Sequence, residues 1–239
     1  MIPKIIHYCW FGRGEMPELA LKCVESWHKH MPDWEYKLWN EDNFDIDCCR
    51  YSREAYNEKK YAFVSDVARL RALADFGGIY FDTDVLVFKS FEPLLKYHAF
   101  AGFEGSKHSP VGTCVLGSEN GGEWVKEQLL YYNDRVFIKE GGSLDLTTNV
   151  SFMTGKMRES GFLNNGVEQD YKDLHILPVD YFCPRHTTGE YLRTNNTFSE
   201  HLGIGSWVNM RRNWKTILLS KVDSSTRSRL IKLKRKLFG

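Results

Sequence analysis

"VSDVARLRALADFGGIYFDTDVLVF", residues 64–88, holds the transition on which the fold turns. Val67, Leu70, Leu73, Ala74 and Phe76 recur at three- and four-residue spacing, the apolar stripe of an amphipathic helix over 64–78. Gly77 and Gly78 end it, because glycine enters the left-handed turn that closes a helix without steric cost. "IYFDTDVLVF" (79–88) then reads as strand. Residues two apart in a strand share a face. Ile79, Phe81, Val85 and Val87 therefore point one way, and Tyr80, Asp82 and Asp84 the other. Two carboxylates aimed at one place repel each other, and burial makes each charge costlier. A divalent cation with a preference for oxygen ligands removes that conflict. A solvated strand end accounts for the same spacing. The acids fall within the apolar run, so the first strand is expected to stop near Asp82 and "VLVF" to start another. That places both acids at a strand's carboxyl end, where open α/β sheets bind ligands.

Working outward, "KIIHYCW" (4–10) and "EYKLW" (35–39) read as strands. Between them, residues 17–31 read as a helix that begins near Pro17 and carries Leu19, Cys23, Val24 and Trp27 on one side. Short apolar runs at 99–103 and 111–117 and "LHILPV" (174–179) are further strands, and 121–138 a further helix. Strands alternating with helices define an α/β class with a mostly parallel central sheet flanked by helices. The 239 residues, 42% hydrophobic and 26% charged, suit one such domain with additions.

The net charge of +1 conceals an uneven distribution. Residues 211–239 carry ten Lys/Arg against Asp223 alone, a charge of +9 on a body of −8. The division expected is therefore a catalytic domain over 1–210 and a basic tail over 211–239. In the tail, Leu230, Ile231, Leu233 and Leu237 line one helical face, flanked by Lys232, Lys234, Arg235 and Lys236. A basic amphipathic helix over 213–239 is suited to an anionic membrane surface. No nucleic-acid recognition motif accompanies the charge. The opening "MIPKIIHYCWFGRG" lacks the basic region and cleavage site of a signal peptide, and no apolar run reaches membrane-spanning length. The six cysteines are scattered without a C-x-x-C pair, which favours reduced, mostly buried thiols and a cytosolic setting, at the cytoplasmic face of a membrane if the tail binds one.

Ser65 stands where an N-cap would, Asp66 in the first turn where the helix dipole favours an anion, and Arg69 three residues on, sharing its face. Taken alone, Asp66 and Arg69 fit a surface ion pair as well as a polar clamp for a sugar or phosphate. Together with the acidic pair, the segment resembles the S-D-x-x-R…G-G-x-Y-x-D-x-D signature of the family 32 glycosyltransferases. "IPKIIHYCWFG" (2–12) is similar to that family's opening block and "HLGIGSW" (201–207) to its closing one. The three blocks lie in the family's order.

The resemblance implies a GT-A (Rossmann-like) fold and a nucleotide-sugar donor, UDP-linked in preference to GDP-linked. It further implies Mn²⁺ or Mg²⁺ as cofactor and transfer with retention of configuration. Carried over by position, Trp10 would stack on the nucleobase and Ser65 contact the nucleoside. Asp66 and Arg69 would hold the donor sugar. Asp82 would reach ribose or sugar hydroxyls and the metal shell, Asp84 would bind the metal, and His201 would be a further metal ligand or a diphosphate contact. Ser206 and Trp207 would grip the leaving diphosphate. The set expected to carry the chemistry is Asp66, Arg69, Asp82, Asp84 and Trp207. The expected acceptor is a glycan, lipid-linked, in surface or capsular polysaccharide synthesis. Asn149, Glu168 and Asp170 are candidates near the acceptor, and each also reads as a loop or surface residue. The chain departs from the family at "NVSFMTGKM" (149–157) and "PRHTTGEYLRTNN" (184–196), where the acceptor is expected to be recognised.

Two other classes open with similar residues. A haloacid-dehalogenase-type phosphatase also presents D-x-D after an apolar strand, with Asp82 as nucleophile. It needs a later lysine and acidic pair, for which "QDYKD" (169–173) is the nearest stretch. A non-catalytic, metal-dependent sugar-binding module would bind sugar without needing a nucleotide.

Overall fold

The computed structural model describes residues 1–105, 110–185 and 191–203. Strand β1 (Ile5–Cys9) is followed by helix α1 (Glu18–His30), which crosses over to β2 (Glu35–Trp39), parallel to β1 with Ile6 opposite Tyr36. Pro17 precedes the helix, Glu18 lies in its first turn, and His28, Lys29 and His30 lie in its last, where they complement the helix dipole. Ala20, Cys23 and Trp27 form its buried face. Two helices follow, α2 (Arg50–Asn57) and α3 (Tyr61–Phe76), joined by a turn in which Lys59 takes a φ of 56°. α3 leads through Gly77 and Gly78 into β3 (Gly78–Phe81), which lies parallel to β1 with Ile6 opposite Ile79. β4 (Val85–Val87) is separate, as the acid-bearing interruption implies. The rest of the described chain is β5 (Ala99–Phe103), β6 (Val111–Ser118), α4 (Glu123–Asn133), α5 (Asn149–Glu159), β7 (Gln169–Tyr171), β8 (Leu174–Leu177) and β9 (Ser199–His201).

The central sheet has seven strands in the order β2-β1-β3-β6-β5-β8-β7. β1, β2, β3, β5 and β8 run one way, and β6 and β7 the other. The α/β class and the mostly parallel direction are those the sequence implies. One apolar layer gathers Val64, Val67, Leu70, Tyr80, Leu116 and Trp124 under α3 and α4. The other gathers Ile6, Trp27, Ile79, Phe81, Phe91 and Phe182 on the α1 side. The alternation along β3 therefore sorts Tyr80 to one layer and its neighbours Ile79 and Phe81 to the other.

Three readings need correction. α3 starts at Tyr61, not near Ser65, because Lys60 ends the α2 turn with its amide on the Ala55 carbonyl at 2.8 Å, and Tyr61–Val64 continue as helix. Ser65 is thus inside the helix: its hydroxyl donates to the Tyr61 carbonyl at 3.2 Å and caps nothing, and Asp66 is not in the first turn. The helix expected over 121–138 stops at Asn133, since the amides of Phe137 and Ile138 both donate to the Glu54 carboxylate at 2.9 Å and leave the helical pattern. Residues 149–159, which carry Asn149, are helix α5 rather than loop, with the Thr148 hydroxyl accepting from the Ser151 amide.

Residues Met1–Leu202 form one compact unit. Ser206, Trp207 and the whole basic tail lie outside the described residues. Among the described residues no helix is long and apolar enough to cross a membrane. All six cysteines are free.

Candidate active site

The site is assembled where the sheet's carboxyl ends meet. Gly77 (φ 64°) and Gly78 (φ 105°) turn the chain from α3 into β3 so tightly that a Cβ on Gly78 would sit 2.6 Å from the Ile5 carbonyl oxygen. β3 then delivers Asp82, whose amide donates to the Cys114 carbonyl on β6 at 2.9 Å. The Val85 amide donates back to the Asp82 carbonyl at 3.0 Å, and this turn carries Asp84. β4 pairs antiparallel with β9, with Val85 opposite His201, and the Leu202 amide donates to the Asp84 carbonyl at 3.0 Å. A three-residue strand thus brings a histidine from far along the chain to the acidic pair. His201 Nε2 lies 3.3 Å from Asp84 Oδ1, and Nδ1 lies 3.5 Å from Glu104 Oε1.

Asp66 and Arg69 are buried, 7% and 5% exposed, so the surface ion pair gives way to an internal clamp. Arg69 Nη2 meets Asp66 Oδ1 at 2.9 Å and Nη1 meets Asp82 Oδ1 at 3.3 Å. Arg69 also donates to the carbonyls of Thr113 (2.8 Å) and Ser65 (3.2 Å), and its guanidinium lies over the Tyr80 ring at 4.5 Å. Tyr80 in turn donates its hydroxyl to Asp82 Oδ1 at 2.9 Å. Burial pushes the Asp66 carboxyl up to about 6, with Arg69 opposing. Burial also raises Asp82, again against Arg69, and the neighbouring Asp84 adds to the rise. Burial disfavours charge on His201, yet Cys114, Asp84 and Glu104 outweigh it and raise its affinity for a proton.

One ligand atom from each of Asp82, Asp84 and His201 lies within 4.8 Å of the others. Two carboxylate oxygens and an imidazole nitrogen are donors that Mn²⁺ accepts readily, and Mg²⁺ would lean on the carboxylates. The residues therefore fit the divalent ion the resemblance implies.

Trp10 follows β1 at the same edge of the sheet, its indole N–H on the Gly14 carbonyl at 2.6 Å. Asn149 is buried at the start of α5, beside Asp66 and within 3.2 Å of the Tyr132 hydroxyl. Glu168 and Asp170 do not join the site. Their carboxylates hold His175, at 2.9 and 2.6 Å, at the β7 edge of the sheet. Glu104 was not among the sequence candidates. The signal was present, since it is an acid directly after the apolar run 99–103, the position Asp82 holds after β3.

An acidic pair at a sheet's carboxyl edge, clamped by a buried Arg–Asp pair and closed by a histidine, is the arrangement that the resemblance to DXD sugar transferases implies. Residues 17–101 match the family described as the glycosyltransferase sugar-binding region containing the DXD motif. Through this region the chain is similar to that family. It is 31% identical over 128 residues to inositol phosphoceramide mannosyltransferase 3 of Schizosaccharomyces pombe, covering 50% of this chain and 34% of that protein. It is 32% identical over 124 residues to the mannosyl phosphorylinositol ceramide synthase CSH1 of Saccharomyces cerevisiae, covering 49% and 32%. To an uncharacterized glycosyltransferase of Acanthamoeba polyphaga mimivirus it is 25% identical over 223 residues, covering 85% and 86%. The chain thus spans about a third of the length of the two yeast proteins.

Proposed function

We propose that this chain is a retaining, metal-dependent glycosyltransferase that moves a hexose from a nucleotide-sugar donor, UDP-linked first and GDP-linked second, to a lipid-linked glycan acceptor. The observation that carries the reading is the convergence of Asp82, Asp84 and His201 within 4.8 Å, against a buried Arg69 that bridges Asp66 and Asp82.

Breaking a glycosyl–phosphate bond builds negative charge on the leaving diphosphate and positive charge on the sugar. Asp84, Asp82 and His201 would hold a divalent ion, which would supply Lewis-acid neutralisation of the first. Arg69 is fixed by its carbonyl and carboxylate partners, so it offers a preorganised positive charge that needs no reorientation during reaction. Asp66 accepts hydrogen bonds from donor-sugar hydroxyls. Trp10, at the end of β1, offers an aromatic face to the base. Ser65 faces the nucleoside from α3, and the resemblance assigns the leaving diphosphate to Ser206 and Trp207. No side chain is assigned as a nucleophile. The acceptor hydroxyl attacks from the face the diphosphate leaves, and the departing phosphate accepts its proton.

The lipid-linked acceptor draws support from the yeast relatives, whose names place mannose on inositol phosphoceramide, a lipid. The basic stretch 213–239 would hold the enzyme on an anionic membrane at its cytoplasmic face, within reach of such an acceptor in surface or capsular polysaccharide synthesis. The decisive experiment is thermal stabilisation by UDP and by GDP, each with and without Mn²⁺, for wild type and Asp84→Asn. A nucleotide at ~100 times its Kd adds about 2.7 kcal/mol of stability. Manganese-dependent stabilisation by one nucleotide, lost in the variant, supports the reading and selects the donor class. No nucleotide effect on folded wild type overturns it.

A further inference from the structure

Behind the acidic pair lie two thiols that the reaction does not use. Cys114 is on β6 and Cys183 follows β8, and they are 3% and 6% exposed. Their sulfurs are 3.5 Å apart, and with a His201 ring nitrogen they form a second cluster in which all three ligand atoms lie within 4.8 Å. Zinc bound to thiolate at about 2.3 Å in a tetrahedron sets its sulfurs about 3.8 Å apart, close to the spacing the two cysteines already have. The backbone holds them there. The Cys114 carbonyl accepts the Asp82 amide at 2.9 Å, and the His201 amide donates to the Phe182 carbonyl, next to Cys183, at 3.2 Å.

We propose that Cys114, Cys183 and His201 form a soft metal site that takes Zn²⁺, with the Asp84 carboxylate or a water as fourth ligand. Two thiolates and an imidazole select Zn²⁺ over Mn²⁺ or Mg²⁺, whereas the oxygen-rich set in front also suits Mn²⁺ and Mg²⁺. On binding, each thiol gives up its proton to solvent and the sulfur lone pair forms the bond to the ion, with no change of oxidation state. His201 belongs to both sets and cannot serve two ions at once. Zn²⁺ in the rear site therefore withdraws a ligand from the catalytic one. Given the transferase reading above, Zn²⁺ becomes an inhibitor that competes with Mn²⁺ through their shared ligand His201.

The test uses Co²⁺ as an optical stand-in for Zn²⁺ on the reduced full chain, with no nucleotide present. Wild type is expected to develop sulfur-to-cobalt charge-transfer absorption that one equivalent of Zn²⁺ abolishes. Cys183→Ser should lose that band, and Asp82→Asn, which touches only the front set, should keep it. Thermal melts establish that each variant is folded. Absence of the band in folded, reduced wild type overturns the proposal without any variant, and so does a band that survives Cys183→Ser. Neither outcome bears on nucleotide binding, so the failure of this site and the failure of the transferase reading are told apart.

Discussion

Arg69 is the residue on which the site's electrostatics depend. It faces the carboxylates of Asp66 and Asp82, the carbonyls of Thr113 and Ser65, and the ring of Tyr80. A lysine offers a point charge and no planar fork, so it cannot hold these directions together. Arg69→Lys should lower stability by about 2–4 kcal/mol, because it leaves a buried carboxylate poorly compensated, and abolish donor binding. Chemical denaturation and nucleotide titration check the two effects. Asp66 has its own pH signature. Its carboxyl titrates near 6 in the folded protein against an ordinary 3.8, so the folded state binds the extra proton between those values. Its contribution to stability therefore falls as pH rises from 3.8 to 6, while its ability to accept sugar hydroxyls appears only as pH passes 6. Nucleotide-sugar affinity should show an acid limb near pH 6, and Asp66→Asn should bind weakly with no such limb. The pairing of Asp66 with Arg69 was visible in their three-residue spacing. Its burial was not, because nothing local shows that α4 and α5 cover this face of α3.

At the scale of elements, the Gly77–Gly78 turn connects fold to function, and it was the most legible feature of the sequence. Gly78→Ala would place a Cβ 2.6 Å from the Ile5 carbonyl at a φ of 105°. The substitution should cost about 2–4 kcal/mol by combining backbone strain with a clash, read as a drop in Tm. The same turn is braced by His7. Its Nε2–H donates to the Gly77 carbonyl at 2.8 Å, while Nδ1 accepts the Trp39 indole N–H at 3.1 Å. Burial lowers the pKa of His7 to about 4 from 6.5, so the folded state keeps it neutral. The unfolded chain then binds the proton first, and the stability His7 supplies is present above 6.5 and lost as pH falls toward 4. Urea midpoints of wild type and His7→Gln, compared across that range, should show a flatter acid limb in the variant. The start of α3 was harder to read. Ser65 before an apolar stripe has the form of a cap, yet the true boundary depends on the α2–α3 turn at Lys59 and Lys60, whose side chains carry no turn signal.

Over the whole molecule, the site depends on β9 reaching back to β4, a contact that no local pattern in the sequence encodes. A strand of three residues has too little periodicity to be read, and His201 was placed only by resemblance of "HLGIGSW" to a family block. Its neighbour Glu200 supplies the anchor. Although 5% exposed, Glu200 accepts from Arg185 Nε at 2.8 Å and from the Tyr191 hydroxyl at 2.8 Å, tying β9 to the segments that precede it. Glu200 itself is not placed among the metal ligands. Glu200→Ala should therefore act through His201: Mn²⁺ affinity should fall by about tenfold, the lower end of what loss of an orienting partner costs a metal site. The Asp82–Arg69 clamp, held from α3 and β6, should persist in that variant. Isothermal titration with Mn²⁺ against wild type, Glu200→Ala and Asp84→Asn separates the cases. An intermediate affinity for Glu200→Ala and none for Asp84→Asn would show that the metal centre is positioned by the β4–β9 pairing. An unchanged affinity in Glu200→Ala would mean that β4 alone holds His201 in place.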